Sequence, residues 1–126
     1  MLRQRLGASG FEDNWTATAA GSITSLDLSV QGDMVVAGYT SGIVVLWDTI
    51  KGNVLRSVHD AHPSPITAAR FHTELKVVTV DAGGLVNKLN FSKNILWSNY
   101  SVETECLLDG IIRPQDIFGE IQFVHE

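Results

Sequence analysis

The sequence has a single cysteine, three prolines and few basic residues, and each scarcity closes off a class of protein. The lone Cys106 rules out an internal disulfide and suits a reducing compartment. Lys and Arg number 9 against 14 Asp and Glu, a net charge of −5. Arg3 and Arg5 are too few to form a phosphate-tracking stripe, so nucleic acid is not an expected partner. No apolar run approaches the roughly 18–20 residues that cross a bilayer. Met1 to Leu6 lacks the continuous apolar segment of a secretory signal. The glycosylation sequons at Asn14, Asn90 and Asn99 then read as chance patterns, and a cytoplasmic domain is expected.

Chemical signatures are equally sparse. No nucleophile elbow is present, and no base stands in evident reach of a nucleophile. His59 and His62 lie close together, but His72, His125 and Cys106 complete no ligand spacing for zinc. Cys106 sits among Glu103, Glu105, Leu107 and Leu108, where carboxylates disfavour a thiolate, so a packed thiol is expected. Ser41-Gly42 and Asp81-Ala82-Gly83-Gly84 are followed by neither a lysine nor an opening helix, so they read as hairpin turns rather than phosphate cradles. No catalytic residue, cofactor or metal site is expected.

What is present is strand grammar. Ile23-x-x-Leu26-x-Leu28 reads as a short strand and Gln31-Gly32-Asp33 as its turn. Met34 to Gly38 is a continuous apolar strand, as suits one covered on both faces. Thr40-Ser41-Gly42 turns the chain, Ile43 to Trp47 returns, and Asp48 to Asn53 forms a polar loop. Val54 to Val58 is a more polar fourth strand, suited to an exposed edge.

The pattern then repeats. Ile66-x-x-Ala69-x-Phe71 copies the first strand at an offset of 43 residues. Val77 to Val80 copies the second strand, and Gly84 to Asn90 copies Gly42 to Asp48 at an offset of 42, with Leu89 where Trp47 stood. The change in offset implies a turn one residue shorter near Glu74-Leu75. Two copies at this period indicate a repeat protein. Beyond Phe91, Ile95-Leu96-Trp97 and Val102 to Leu108 are candidate strands, Arg113 to Asp116 a loop, and Glu120 to Val124 the opening of a third repeat.

Strand pairs closed by Trp47-Asp48 and followed by Ala61-His62 resemble the WD-repeat family, which implies an all-β fold of four-stranded blades in a β-propeller. In that family the Trp indole joins a network of a turn Asp, a strand hydroxyl and the His. The resemblance implies a structural signature at Gly38, Gly42, Trp47, Asp48, His62, Thr79, Asp81 and Gly84, with Thr79 as the hydroxyl. The turn Asp is replaced by Ser41 and Gly83, the Gly before the His by Ala61, and the second Trp by Leu89.

The Ala37-to-Asp48 run, Lys51-Gly52, Leu55-Arg56, Asp60-Ala61-His62 and Val80-to-Val86 look more specifically like the N-terminal propeller of the vacuolar protein sorting eight family. These are the subunits specific to the endosomal tethering complex CORVET. That resemblance implies a non-catalytic scaffold in endosomal vesicle tethering and endosome-to-vacuole or lysosome transport. Its implied partners are the class C tethering core subunits and an early-endosomal Rab GTPase, with membrane association only through partners. The family's solenoid and RING zinc finger are absent from this sequence. The alternatives are a WD-repeat scaffold or receptor of a signalling or ubiquitin-ligase complex, and a small enzyme with a cryptic site. The phosphoinositide motif Phe-Arg-Arg-Gly is missing, and Ile50 occupies the Arg position of the ligase-receptor signature Trp-Asp-x-Arg.

The expected layout is a poorly ordered lead-in over residues 1–20, whose Phe11 and Trp15 could pack on the first blade. Blade one follows at about 21–60, blade two at about 62–108, and a further strand starts at about 119–126. Two blades and a fragment cannot close a ring, so the chain is expected to be a piece of a longer protein, a truncated gene model or half of an assembly.

Overall fold

Alternating apolar positions and turn residues divide the chain into eight strands, which the computed structural model describes over residues 21–110. The strands are β1 (Ile23–Leu28), β2 (Met34–Tyr39), β3 (Val44–Asp48), β4 (Val54–Val58), β5 (Ile66–Thr73), β6 (Lys76–Asp81), β7 (Leu85–Asn94) and β8 (Asn99–Asp109). They form two antiparallel four-stranded sheets, each with its strands in sequence order, β1 to β4 and β5 to β8. The expected lead-in over residues 1–20, the loop at Arg113–Asp116 and the strand at about 119–126 lie outside the described residues.

The period-2 pattern of the first sheet serves two faces. Met34, Val36, Val44, Leu46 and Val58 face the second sheet, where Ile66, Ala69, Val77, Leu89 and Phe91 meet them in a buried core. Val35, Ala37, Tyr39, Ile43, Val45 and Trp47 form a separate buried cluster on the opposite face. Both faces of β2 are therefore buried along its whole length, which explains its unbroken apolar sequence. A side chain such as Leu46, with none of its surface exposed, contributes about 1.5–3 kcal/mol by leaving water. β4 pairs only with β3 and forms the outer edge, in keeping with its more polar sequence.

Turn chemistry fixes the registers. In the first sheet the Ser29 hydroxyl donates to Asp33 Oδ1 at 2.9 Å and accepts the Met34 N–H at 3.0 Å. Asp48 Oδ1 accepts the N–H groups of Ile50 (2.8 Å) and Lys51 (3.0 Å), an Asx turn that opens the β3–β4 loop. In the second sheet Thr73 pairs with Lys76 across Glu74-Leu75, with Leu75 at a φ of 66°. This is the shortened turn that the drop in repeat offset implies.

The structure departs from expectation after Phe91. Ile95-Leu96-Trp97 is the turn between β7 and β8 rather than a strand, and β8 starts at Asn99 rather than Val102. Asn94 Oδ1 accepts the N–H groups of Leu96 (3.0 Å) and Trp97 (3.3 Å), so a side chain takes the donors that a neighbouring strand would otherwise need. Local hydrogen bonding overrides the strand propensity of these residues.

Candidate functional site

The loop joining the two sheets carries His62 against β6, where the densest group of buried polar side chains among the described residues assembles. His62 Nδ1 lies 2.9 Å from Asp81 Oδ2, and Nε2 lies 2.6 Å from Thr79 Oγ1. An ionised carboxylate can only accept, so Nδ1 carries a proton toward Asp81; in the neutral ring Nε2 accepts from the Thr79 hydroxyl. Asp81 Oδ1 accepts the N–H groups of Gly83 (2.8 Å) and Leu85 (3.1 Å), closing the β6–β7 turn. Burial works to raise the Asp81 pKa, but the His62 hydrogen bond and the Leu85 and Gly83 amides outweigh it and hold the carboxyl below its ordinary value.

The loop is held from a second direction. Asn87 Nδ2 donates to the Ala61 carbonyl at 2.8 Å, and the Ala82 N–H donates to the Pro65 carbonyl at 2.8 Å. Gly42, at the β2–β3 turn with a φ of +90°, packs on the same loop: a Cβ there would run into the carbonyl oxygens of His62 and Ser64. Gly84 sits at the corresponding β6–β7 turn, against the backbone of Gly110. The cluster therefore ties the connecting loop to the second sheet while the first sheet's hairpin closes over it.

In bare geometry Thr79, His62 and Asp81 line up as a hydroxyl, an imidazole and a carboxylate, the order of a nucleophilic relay. The Thr79 side chain is 0% exposed and both His62 nitrogens are engaged within the fold. A nucleophile must reach its substrate, and this hydroxyl is sealed in. The occupied ring nitrogens leave His62 no free lone pair for a metal. Among the described residues no group of three or more His, Cys, Asp or Glu side chains is placed to hold a metal ion.

The remaining signature residues lie apart from this cluster. Gly38 faces Ile66 across the sheet interface so closely that a Cβ would overlap the Ile66 side chain. Asp48 caps its own loop. Trp47 is 2% exposed and packs on the face of the first sheet turned away from the second, where its buried Nε1 has no hydrogen-bond partner among the described residues. At the repeat offset of 42, Thr79 corresponds to Ala37, Asp81 to Tyr39 and Leu89 to Trp47. One copy holds the indole and the other holds its usual partners. The carboxylate is also displaced, since Asp81, and neither Gly83 nor Ser41, meets the histidine.

Cys106 is exposed rather than packed, because β8 is the sheet's outer edge. A seam of polar side chains on β1 went unread: Thr24 Oγ1 lies 2.6 Å from the Ile66 carbonyl, Ser25 Oγ accepts the Ala69 N–H at 3.0 Å, and Asp27 Oδ2 accepts the Phe71 N–H at 2.8 Å. The available signal was the recurrence of Ile-Thr at Ile23-Thr24 and Ile66-Thr67, each at a register shift with the Thr hydroxyl near a carbonyl of the next strand. Asn87 carried no such signal.

Stacked four-stranded sheets with a His, hydroxyl and Asp cluster at the joint are WD-repeat architecture, and the model of the Vps8 beta-propeller family matches residues 3–124. The chain belongs to the Vps8 β-propeller family. Among similar proteins are the mouse and human proteins named vacuolar protein sorting-associated protein 8 homolog, each 29% identical over 93 residues. The match covers 71% of this chain but only 6% of the length of those relatives.

Solved structures agree on the fold of this Vps8-type chain. The Cps50 (Swd1) β-propeller domain of Myceliophteria thermophila superposes with a TM-score of 0.57 at 19% identity, over 69% of this chain and 26% of that one. The WD40 repeats of RRP9 superpose with a TM-score of 0.51 at 16% identity, over 65% and 23%. The two described sheets thus match about a quarter of a WD40 ring, an incomplete propeller.

Proposed function

We propose that this chain is a non-catalytic protein-interaction scaffold, the propeller portion of a CORVET-type subunit acting in endosomal vesicle tethering and transport from endosome to vacuole or lysosome. The observation that carries the reading is the Vps8 propeller match over residues 3–124. The burial of the relay-like set Thr79, His62 and Asp81 supports it, since those groups stabilise the joint between sheets. Rigid strands with contacts carried on loops and edges suit a docking platform.

On this reading the partners are the class C tethering core subunits and an early-endosomal Rab GTPase, and the chain reaches endosomes from the cytoplasm through them. No helix among the described residues is long and apolar enough to cross a membrane. The test is co-expression with the class C core subunits followed by affinity purification through this chain. Stoichiometric co-elution is expected. A stable complex with ubiquitin-ligase or signalling components, and none with the core subunits, would select the alternative scaffold.

A further inference from the structure

The buried cluster around Trp47 lies on the face of the first sheet turned away from the second. All its members, and the half-buried Val54 beside them, belong to the first sheet and its β2–β3 turn. Among the described residues no layer lies over them, because the two sheets meet on the other face. Ala37 and Val45 are nevertheless 0% exposed and Trp47 2%. A sheet face open to water leaves its side chains partly wet, so this face is covered. Trp47 Nε1, sealed from solvent with no acceptor among the described residues, shows that the cover is dry.

The cover has an edge. Leu26 and Leu28 of β1 stand directly opposite Ala37 and Val35, on the same face. Ser25 and Asp27 alternate with them and point the other way, to the second sheet. Leu26 and Leu28 are 52% and 57% exposed, so the cover lies over β2, β3 and β4 and stops short of β1. In the second sheet the residues 43 positions on, Ala69 and Phe71, are buried and half-buried beneath the first sheet. A further stacked sheet would cover Leu26 and Leu28 in the same way. A single crossing segment would not.

The places where the remaining chain joins the sheets select the segment. Residues 1–20 lead into Gly21 and Ser22. The Ser22 carbonyl accepts the Thr40 N–H at 2.9 Å, and its N–H donates to the Thr40 hydroxyl at 3.1 Å. Thr40 lies in the β2–β3 turn between Tyr39 and Ile43, two members of the covered cluster. Residues 1–20 thus join the fold at the rim of the covered strip, which is about 17 Å long. Residue 111 instead follows Gly110, whose N–H donates to the Gly84 carbonyl at 3.0 Å. That point belongs to the other sheet, and the strip lies on the first sheet's far side.

We propose that residues 1–20 of this chain form a strap across β2, β3 and β4, with Phe11 and Trp15 packed over Trp47. At the repeat offset of 42, Val35 and Trp47 correspond to Val77 and Leu89, with which the second sheet receives the first. The strap therefore occupies a sheet-receiving face and keeps a further sheet from stacking there. The proposal goes beyond the scaffold reading and does not depend on it.

The test places the photo-crosslinker p-benzoylphenylalanine at Phe11, or at Phe123 as the rival position, in the purified full chain mixed with an isotope-labelled copy. The expected result is an adduct from Phe11 within one copy, mapped to residues 34–58, and none there from Phe123. No such adduct from Phe11 would overturn the strap. An adduct there from Phe123 would overturn it in favour of the C-terminal segment, and one joining labelled to unlabelled chains in favour of a second copy. Fluorescence gives an independent reading, because Trp15→Phe with Trp97→Phe leaves Trp47 as the sole indole. Phe11→Ser with Trp15→Ser, in the same Trp97→Phe background, should shift Trp47 emission to the red and open it to acrylamide. An unchanged spectrum would overturn the strap, and the cross-link decides if the serine variant fails to fold.

Discussion

Asp27 on the first strand of one sheet accepts the backbone N–H of Phe71 on the first strand of the other, at 2.8 Å. β5 is an edge strand, and edge donors left open invite pairing with other chains. Here Thr24, Ser25 and Asp27 of β1 satisfy Ile66, Ala69 and Phe71 of β5 from the side, so stacking replaces lateral pairing. The second copy does not repeat the device: Ala68 and Arg70 stand 43 residues after Ser25 and Asp27. The joint between the two sheets is thus chemically particular to this pair.

Asp27→Ala removes the acceptor and leaves the Phe71 N–H in a partly buried seam. The expected loss is about 1.5–3 kcal/mol, as for other hydrogen bonds to charged groups. Amide exchange should accelerate at Phe71 and not at Val36, whose pairing lies within the first sheet. Unchanged protection at Phe71 would remove the carboxylate from the seam.

Gly38→Ala tests how closely the sheets approach. The added methyl overlaps the Ile66 side chain, which has 1% of its surface exposed and little room to shift. Overpacking of this kind costs about 1–3 kcal/mol. Because the added methyl meets the Ile66 Cγ2 and Cγ1 atoms, Ile66→Ala, which removes both, should cost less in the Gly38→Ala background than alone, a non-additivity readable from denaturant midpoints. Strict additivity would show that the two do not compete.

Asp81 gives the joint a pH dependence with a definite sign. Its folded pKa is depressed from an ordinary value of 3.8, so the stability it contributes is fully present above that value. That stability is lost as pH falls through the lower folded value. Acid unfolding monitored by circular dichroism should therefore steepen below about pH 3.8, and Asp81→Asn should flatten that limb. Thr79→Val, which keeps the volume but leaves His62 Nε2 unpaired, should cost about 1–3 kcal/mol with the acid limb retained.

Trp47 separates packing from hydrogen bonding. Trp47→Ala empties a fully enclosed site and should destabilise by about 3–5 kcal/mol. Trp47→Phe keeps most of the ring contact and deletes an N–H that has no partner among the described residues, so it should cost well under half as much. Equal losses in equilibrium unfolding would mean that the indole N–H is engaged after all.

The strand order, the repeat offset, the shortened Glu74-Leu75 turn and the turn at Thr40-Ser41-Gly42 were determined by sequence alone. Each follows from alternation along a strand or from turn chemistry within a few residues, and such signals are local. The third dimension decided which sheet face Trp47 occupies, that Asp81 rather than a turn residue meets His62, and that Asn87, Ser25 and Asp27 bridge distant segments. It also decided that Ile95-Leu96-Trp97 projects as a turn. These outcomes depend on how two sheets stack and where β6 stops pairing with β7, and no alternation within a single strand encodes the distance between one sheet and the next.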